Sequence, residues 1–182
     1  MRRMMTFAAV LKSLEDTRAM GACLARCLPS GAVCLLRGDL AAGKTTLVKA
    51  VCAQYAIAPQ AVTSPTYTIA NWYEGDVVVC HVDFYRLESP DDLYNLDDGD
   101  WLNPDGPTFI EWPDVALNFL KGVDTLEISL GNVDGDTAAR RVTVSARGES
   151  YGALFSALGA LAEVRGLTVL APGSDKGAHA PC

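Results

Sequence analysis

Eight consecutive residues, Gly38-Asp39-Leu40-Ala41-Ala42-Gly43-Lys44-Thr45, match the phosphate-loop pattern G-x-x-x-x-G-K-[ST] at every fixed position. Each fixed residue type has a physical task. Glycines allow the tight turn that points successive backbone N–H groups at phosphate oxygens. A lysine after the second glycine, Lys44, carries its charge to the β- and γ-phosphates, and the Thr45 hydroxyl suits Mg²⁺. The helix opening at this point adds the positive end of its dipole. The residues around the loop (Ala41, Ala42, Gly43, Lys44, Thr45 and Thr46) are therefore expected to hold a nucleoside triphosphate.

A magnesium site also needs an acid, usually at the end of a neighbouring strand. Two runs offer one. Val77-Val78-Val79-Cys80-His81-Val82-Asp83 ends in an aspartate, and Thr108-Phe109-Ile110-Glu111 ends in a glutamate. On pattern alone Asp83 and Glu111 are equal candidates. Thr63-Ser64-Pro65-Thr66 reads either as a hydroxyl-bearing loop that senses the γ-phosphate, with Thr66 near the nucleotide, or as a proline-initiated turn.

These groups require a strand–loop–helix frame. Ala32 to Arg37 is a short apolar run read as a buried strand, and a helix follows from about Thr45 to Tyr55. Ser13 and Asp16 resemble a capping box before Leu14, Thr17, Gly21, Leu24 and Leu28 at helical spacing, and Pro29-Ser30-Gly31 stops that helix. Tyr67 to Tyr73 and Val77 to Phe84 read as a hairpin across Glu74-Gly75-Asp76. Ser89-Pro90 starts a short helix with serine as cap. Pro113 opens another after the Thr108 to Glu111 strand. Leu126 to Leu130 and Arg141 to Ala146 form a second hairpin, followed by a helix from about Ser150 to Arg165. Two hairpins among βα units predict a mixed parallel and antiparallel sheet flanked by helices, the α/β fold of a P-loop nucleotide hydrolase. Length allows one domain, residues 1–171, with residues 172–182 as a mobile tail.

Composition excludes several other classes. The net charge of −7 opposes wrapping of a nucleic-acid backbone. Six cysteines without a C-x-x-C pair suit a reduced interior, and no apolar run approaches the ~20 residues of a membrane span. The Arg2-Arg3 start leads into Met4 to Leu11, too short for a signal sequence and without a cleavage site, so a cytoplasmic protein is expected. No N-K-x-D motif is present, which disfavours a Ras-like GTPase. Between Lys49 and Arg140 the only lysine or arginine residues are Arg86 and Lys121, too few for the arginine-rich lid of a small-molecule kinase. A nucleotide-dependent binding module with negligible turnover is the remaining alternative to an ATPase. Glu88, Asp91, Asp92, Asp97, Asp98 and Asp100 form either a solvated acidic face or a docking surface for a basic partner.

Gly38 to Leu47, Val62-Thr63-Ser64-Pro65-Thr66-Tyr67, His81-Val82-Asp83-Phe84-Tyr85-Arg86-Leu87 and Ile110-Glu111-Trp112-Pro113 together resemble the TsaE family, the small P-loop ATPases of bacterial tRNA threonylcarbamoyladenosine synthesis. The resemblance spans roughly residues 13 to 147. It implies ATP hydrolysis with Mg²⁺, coupled to a complex of TsaD and TsaB that modifies adenosine 37 of tRNAs reading ANN codons, with tRNA met only indirectly. It implies Thr45 and Glu111 as the Mg²⁺ ligands and a catalytic or water-organising role for Asp83. Trp112 corresponds to the family's tryptophan beside that glutamate. Arg140, with Arg141 beside it, corresponds to an arginine near the nucleotide, and Glu15 to a residue at the adenine end. One departure is Ala41, where the family usually has glycine; a left-handed backbone there would cost alanine roughly 1–2 kcal/mol.

Overall fold

The computed structural model describes residues 4–65, 69–94, 101–147 and 150–171. Strand β2 (Val33–Arg37) shows how the architecture is built. Its side chains alternate: Cys34 and Leu36 enter one apolar core, Val33 and Leu35 another. A strand buried on both faces must lie inside a sheet covered by helices on either side.

That sheet has eight strands, also including β1 (Met4–Leu11), β3 (Ala70–Tyr73), β4 (Val79–Asp83), β5 (Thr108–Glu111), β6 (Thr125–Val133), β7 (Asp136–Arg147) and β8 (Thr168–Val169). Their order is β3-β4-β5-β2-β6-β7-β1-β8. The β4–β5, β5–β2 and β2–β6 pairs are parallel; β3–β4, β6–β7, β7–β1 and β1–β8 are antiparallel. The mixed sheet expected from the two hairpins is therefore present.

Helices α1 (Leu14–Cys27), α2 (Lys44–Cys52) and α4 (Gly152–Arg165) contribute to the core that holds Cys34 and Leu36. Gly21 lets α1 lie against α2: a Cβ there would meet the Ala50 Cβ at 2.4 Å. On the opposite face, Leu93 of α3 (Pro90–Tyr94) and Ala116 join Val33, Leu35, Val82 and Ile110. In β6 the even positions Leu126, Ile128 and Leu130 are buried and the odd ones partly exposed, so this half of the sheet has one wetter face.

Several boundaries differ from the sequence reading. Met4–Leu11 is a strand, held by eight register positions against β7, from Met4 opposite Arg147 to Leu11 opposite Arg140. Its partner lies far along the chain, so no local signal marked it. The helix expected through Tyr55 tightens after Cys52 into a 3₁₀ turn, Ala53–Tyr55, and the helix expected at Pro113 is a single 3₁₀ turn, Pro113–Ala116. Strand β7 begins at Asp136, before the expected Arg141, and β8 was not foreseen. β3 covers Ala70–Tyr73; the earlier part of that expected strand, residues 67 and 68, lies outside the described residues, as do Thr66, Asp97, Asp98, Asp100 and the tail 172–182.

The start of α1 follows the expected capping logic with one change. The Ser13 hydroxyl accepts the Asp16 N–H at 3.2 Å, while the Asp16 carboxylate accepts the Lys12 N–H at 2.9 Å and the Arg165 Nε–H at 2.7 Å. Asp16 thus also ties α1 to the end of α4. At α3 the Asp92 carboxylate accepts the N–H groups of Glu88 and Ser89. Among the described cysteines all five, Cys23, Cys27, Cys34, Cys52 and Cys80, are free thiols. No helix among the described residues is long and apolar enough to cross a membrane.

Candidate functional site

β2 ends at Arg37, and the chain must then turn sharply into α2. Gly38 makes the turn at φ +135°, lying so close to β6 that a Cβ would strike the Leu130 carbonyl oxygen. Gly43 takes φ +106° as the residue before α2. No side chain caps this helix, so its first-turn N–H groups are left for an anion. Ala41 also adopts a left-handed backbone, φ +63°, so the strain anticipated for alanine at this position is present.

The loop's lysine folds back over it. Lys44 is 4% exposed, and its ammonium donates to the carbonyls of Gly38 (2.7 Å) and Asp39 (3.0 Å). It lies 4.4 Å from the centre of the Trp112 ring and 3.9 Å from Glu111 Oε2. Burial draws the ammonium's pKa below the usual lysine value, against the opposing pull of Glu111, Asp83 and Asp39.

Strands β4 and β5 bring the two candidate acids together. Asp83 and Glu111 are register partners, and both belong to the α2 side because Cys80, Val82 and Ile110 occupy the opposite core. Glu111 Oε1 accepts the Thr45 hydroxyl at 2.8 Å and lies 3.0 Å from His81 Nε2. Burial alone would raise the Glu111 pKa; the His81 imidazole, the Thr45 hydroxyl and the Lys44 ammonium outweigh it and hold the carboxyl below the usual glutamate range. Asp83 Oδ2 accepts the Ser64 hydroxyl at 3.1 Å, and Oδ1 accepts the Tyr85 N–H at 2.9 Å.

Two clefts adjoin the loop. The first, of about 430 Å³, is walled by the loop residues Leu40 to Thr46 together with Ser64, Asp83, Tyr85, Glu111 and Trp112. The second, of about 260 Å³, shares Ala41, Ala42, Gly43 and Thr46 and is completed by Leu14, Thr17, Leu130, Thr137, Ala138 and Arg140. Arg140 Nε donates to the Ala42 carbonyl at 3.1 Å, and its Nη1 to those of Thr137 and Ala139. Of the adjacent arginines, Arg140 is the one on the loop.

Thus Ala41, Ala42, Gly43, Lys44, Thr45, Thr46, Asp83 and Glu111 converge, with Arg140 behind the loop. Glu15 does not join them. One helical step from Leu14, its exposed carboxylate turns to Arg18 at 3.3 Å, and Leu14 lines the cleft instead. Thr66 lies outside the described residues; its neighbour Ser64 supplies the hydroxyl that reaches an acid. The sequence reading assigned no task to His81. Its position two residues before Asp83 was the available signal, because alternate strand residues share a face.

The protein's own donors fit magnesium in character. No cluster of three or more His, Cys, Asp or Glu ligands exists among the described residues. A hydroxyl and a carboxylate, Thr45 and Glu111, beside a phosphate-binding loop are instead the sparse oxygen set that would suit Mg²⁺ with phosphates and water completing its shell.

Comparisons with known proteins converge. Residues 11–142 match the family model described as threonylcarbamoyl adenosine biosynthesis protein TsaE. The chain is 37% identical over 137 residues to the tRNA threonylcarbamoyladenosine biosynthesis protein TsaE of Treponema pallidum, covering 75% of this chain and 98% of that one. It is 36% identical over 141 residues to the Streptomyces coelicolor protein of the same description, covering 74% and 93%. The crystal structure of Bacillus subtilis YdiB superposes with a TM-score of 0.67 at 24% identity, covering 91% of this chain and 99% of the other, which is a likeness of fold.

Proposed function

The chain belongs to the TsaE family of tRNA threonylcarbamoyladenosine biosynthesis, and from that premise we propose that it is a Mg²⁺-dependent ATPase serving a TsaD–TsaB complex. The reaction served is formation of threonylcarbamoyladenosine at position 37 of tRNAs reading ANN codons. The observation that carries the reading is the 2.8 Å bond between the Thr45 hydroxyl and Glu111, at the mouth of an uncapped helix whose lysine is already turned toward the loop.

The loop N–H groups and Lys44 bind the phosphates, and Thr45 with Glu111 holds Mg²⁺. When bound, that ion neutralises phosphate oxygens and orients the terminal phosphoryl group. The shared loop carries the nucleotide between the clefts, with the nucleoside end assigned to the side of Leu14, Thr17 and Arg140. Asp83 is the residue given to the attacking water; the Ser64 hydroxyl and the Tyr85 N–H on its two oxygens support this by holding the carboxylate in one orientation. Lys44 supplies charge against the transferring group. The Gly38 and Asp39 carbonyls accept from the same ammonium, and phosphate oxygens are the stronger acceptors.

ATP hydrolysis in the presence and absence of Mg²⁺ tests the reading, with Thr45→Ala as the control. Metal-dependent phosphate release that falls in the variant supports it. Phosphate release indifferent to Mg²⁺ and to Thr45 refutes it.

A further inference from the structure

Along β4 the side chains alternate, Cys80 and Val82 to one core, His81 and Asp83 to the other face. His81 is fully buried, with no exposed surface. Its Nε2 lies 3.0 Å from Glu111 Oε1, and its Nδ1 has no hydrogen-bond partner among the described residues. A carboxylate oxygen only accepts, so the proton of this contact sits on Nε2. Filling the space would not need an imidazole: Val79, on the same face of β4, and Phe109, the register partner on β5, are buried and apolar. A buried ring with one nitrogen unsatisfied works against stability, so its contribution must come from the nitrogen that is bonded.

We propose that His81 is a positioning residue for the metal-binding carboxylate, pinning Glu111 Oε1 so that Oε2 stays available to the cation. This rests on the Mg²⁺–nucleotide reading above. The terminal torsion of a glutamate is soft and nearly two-fold. Two donors, Thr45 and His81, converge on Oε1, while among the described residues Oε2 meets only the distant Lys44 ammonium at 3.9 Å. Without the His81 donor Oε1 keeps only the Thr45 hydroxyl, which the cation itself claims, so the carboxylate can rotate onto that ammonium and form a closed ion pair that withdraws both oxygens from the cation. Metal-site carboxylates held by a hydrogen bond of this kind typically lose affinity when the bond is removed.

The test is calorimetry of ADP binding, with Mg²⁺ and in EDTA, for the wild type, His81→Asn and His81→Gln. An asparagine amide nitrogen falls near the ring's Nδ1 and cannot reach Glu111, whereas that of glutamine falls near Nε2 and can. The expected result is unchanged ADP affinity in EDTA for both variants. The gain on adding Mg²⁺ should fall roughly tenfold or more in His81→Asn and be largely restored in His81→Gln. Full Mg²⁺ enhancement in His81→Asn, or equal loss in both variants, overturns the proposal. A wild type whose ADP binding ignores Mg²⁺ would remove the metal reading itself, and this proposal with it. Should His81→Asn not fold, the ring nitrogen spectrum of the metal-free wild type decides, assigned with His179→Ala because the chain has two histidines. A protonated Nε2 with a bare Nδ1 supports the proposal, and a proton shared between the two nitrogens contradicts it.

Discussion

Asp83 and Glu111 are register partners on adjacent parallel strands, yet their carboxylates answer to different groups. Glu111 meets the Thr45 hydroxyl and the His81 imidazole, and Asp83 meets the Ser64 hydroxyl and the Tyr85 N–H. The difference underlies the separate tasks proposed for them. Glu111→Ala is expected to weaken Mg²⁺-dependent nucleotide binding by roughly 10–100-fold. Asp83→Ala should keep more of that binding and lose about 10²–10⁴ in turnover. Mg²⁺ titrations giving the opposite ranking would mean that the tasks are exchanged.

Lys44→Ala removes the loop's only side-chain cation. Nucleotide affinity should fall, and turnover should drop by about 10²–10³, the usual scale for losing one preorganised donor to a developing charge. Unchanged ATP binding in calorimetry together with normal hydrolysis would exclude the loop as the phosphate site.

Ala41 holds φ +63° without being glycine. Ala41→Gly relieves a left-handed backbone worth roughly 1–2 kcal/mol and adds about 0.4–1 kcal/mol of unfolded-chain entropy, so a net gain of about 0.5–1 kcal/mol is expected. Urea denaturation of the two proteins measures it. A destabilised glycine variant would show that the loop carries no strain at this residue.

Asp16 gives the fold an acid-sensitive tie. Burial pushes its pKa up, but Arg165, the Lys12 N–H and Ser13 together hold it below the usual aspartate value. Because the folded state has the lower pKa, this stabilisation is complete above about pH 4 and is lost as pH falls through the folded value. Asp16→Asn should cost about 1–2 kcal/mol at neutral pH and flatten the decline below pH 4, as read by denaturation across pH 2–7. Parallel pH curves for the two proteins would contradict this.

The loop was legible in the sequence because each of its fixed residues has a chemical task that few others can perform. The mixed sheet was legible from Glu74-Gly75-Asp76 and the Leu126 to Ala146 region, where turn residues separate β-rich runs. Met4–Leu11 was not, because its apolar run does not alternate and its partner β7 is more than 120 residues away at every register position. Nor were the different surroundings of Asp83 and Glu111: both end a strand, and only the folded chain sets Thr45 and His81 around one and Ser64 beside the other. Glu15 stands apart from the cleft that Leu14 lines for a local reason, since a shift of one residue on a helix turns a side chain by about 100°.

Fast phosphoryl transfer needs positive charge against the γ-phosphate, and an arginine supplied from outside is worth about 10³–10⁵ in rate. In this chain Arg140 donates to the carbonyls of Ala42, Thr137 and Ala139, and among the described residues no other arginine lines either cleft. Slow hydrolysis by the isolated protein is therefore expected, with acceleration on docking. Acidic residues between Glu88 and Asp100 are a candidate for part of the docking surface, so the gain should shrink as salt rises. The direct measurement is phosphate release by the protein alone and with the TsaD and TsaB of the same organism, at low and high salt. The account predicts a low basal rate and a marked, salt-sensitive rise with the partners; rapid release by the isolated protein that the partners leave unchanged would contradict it.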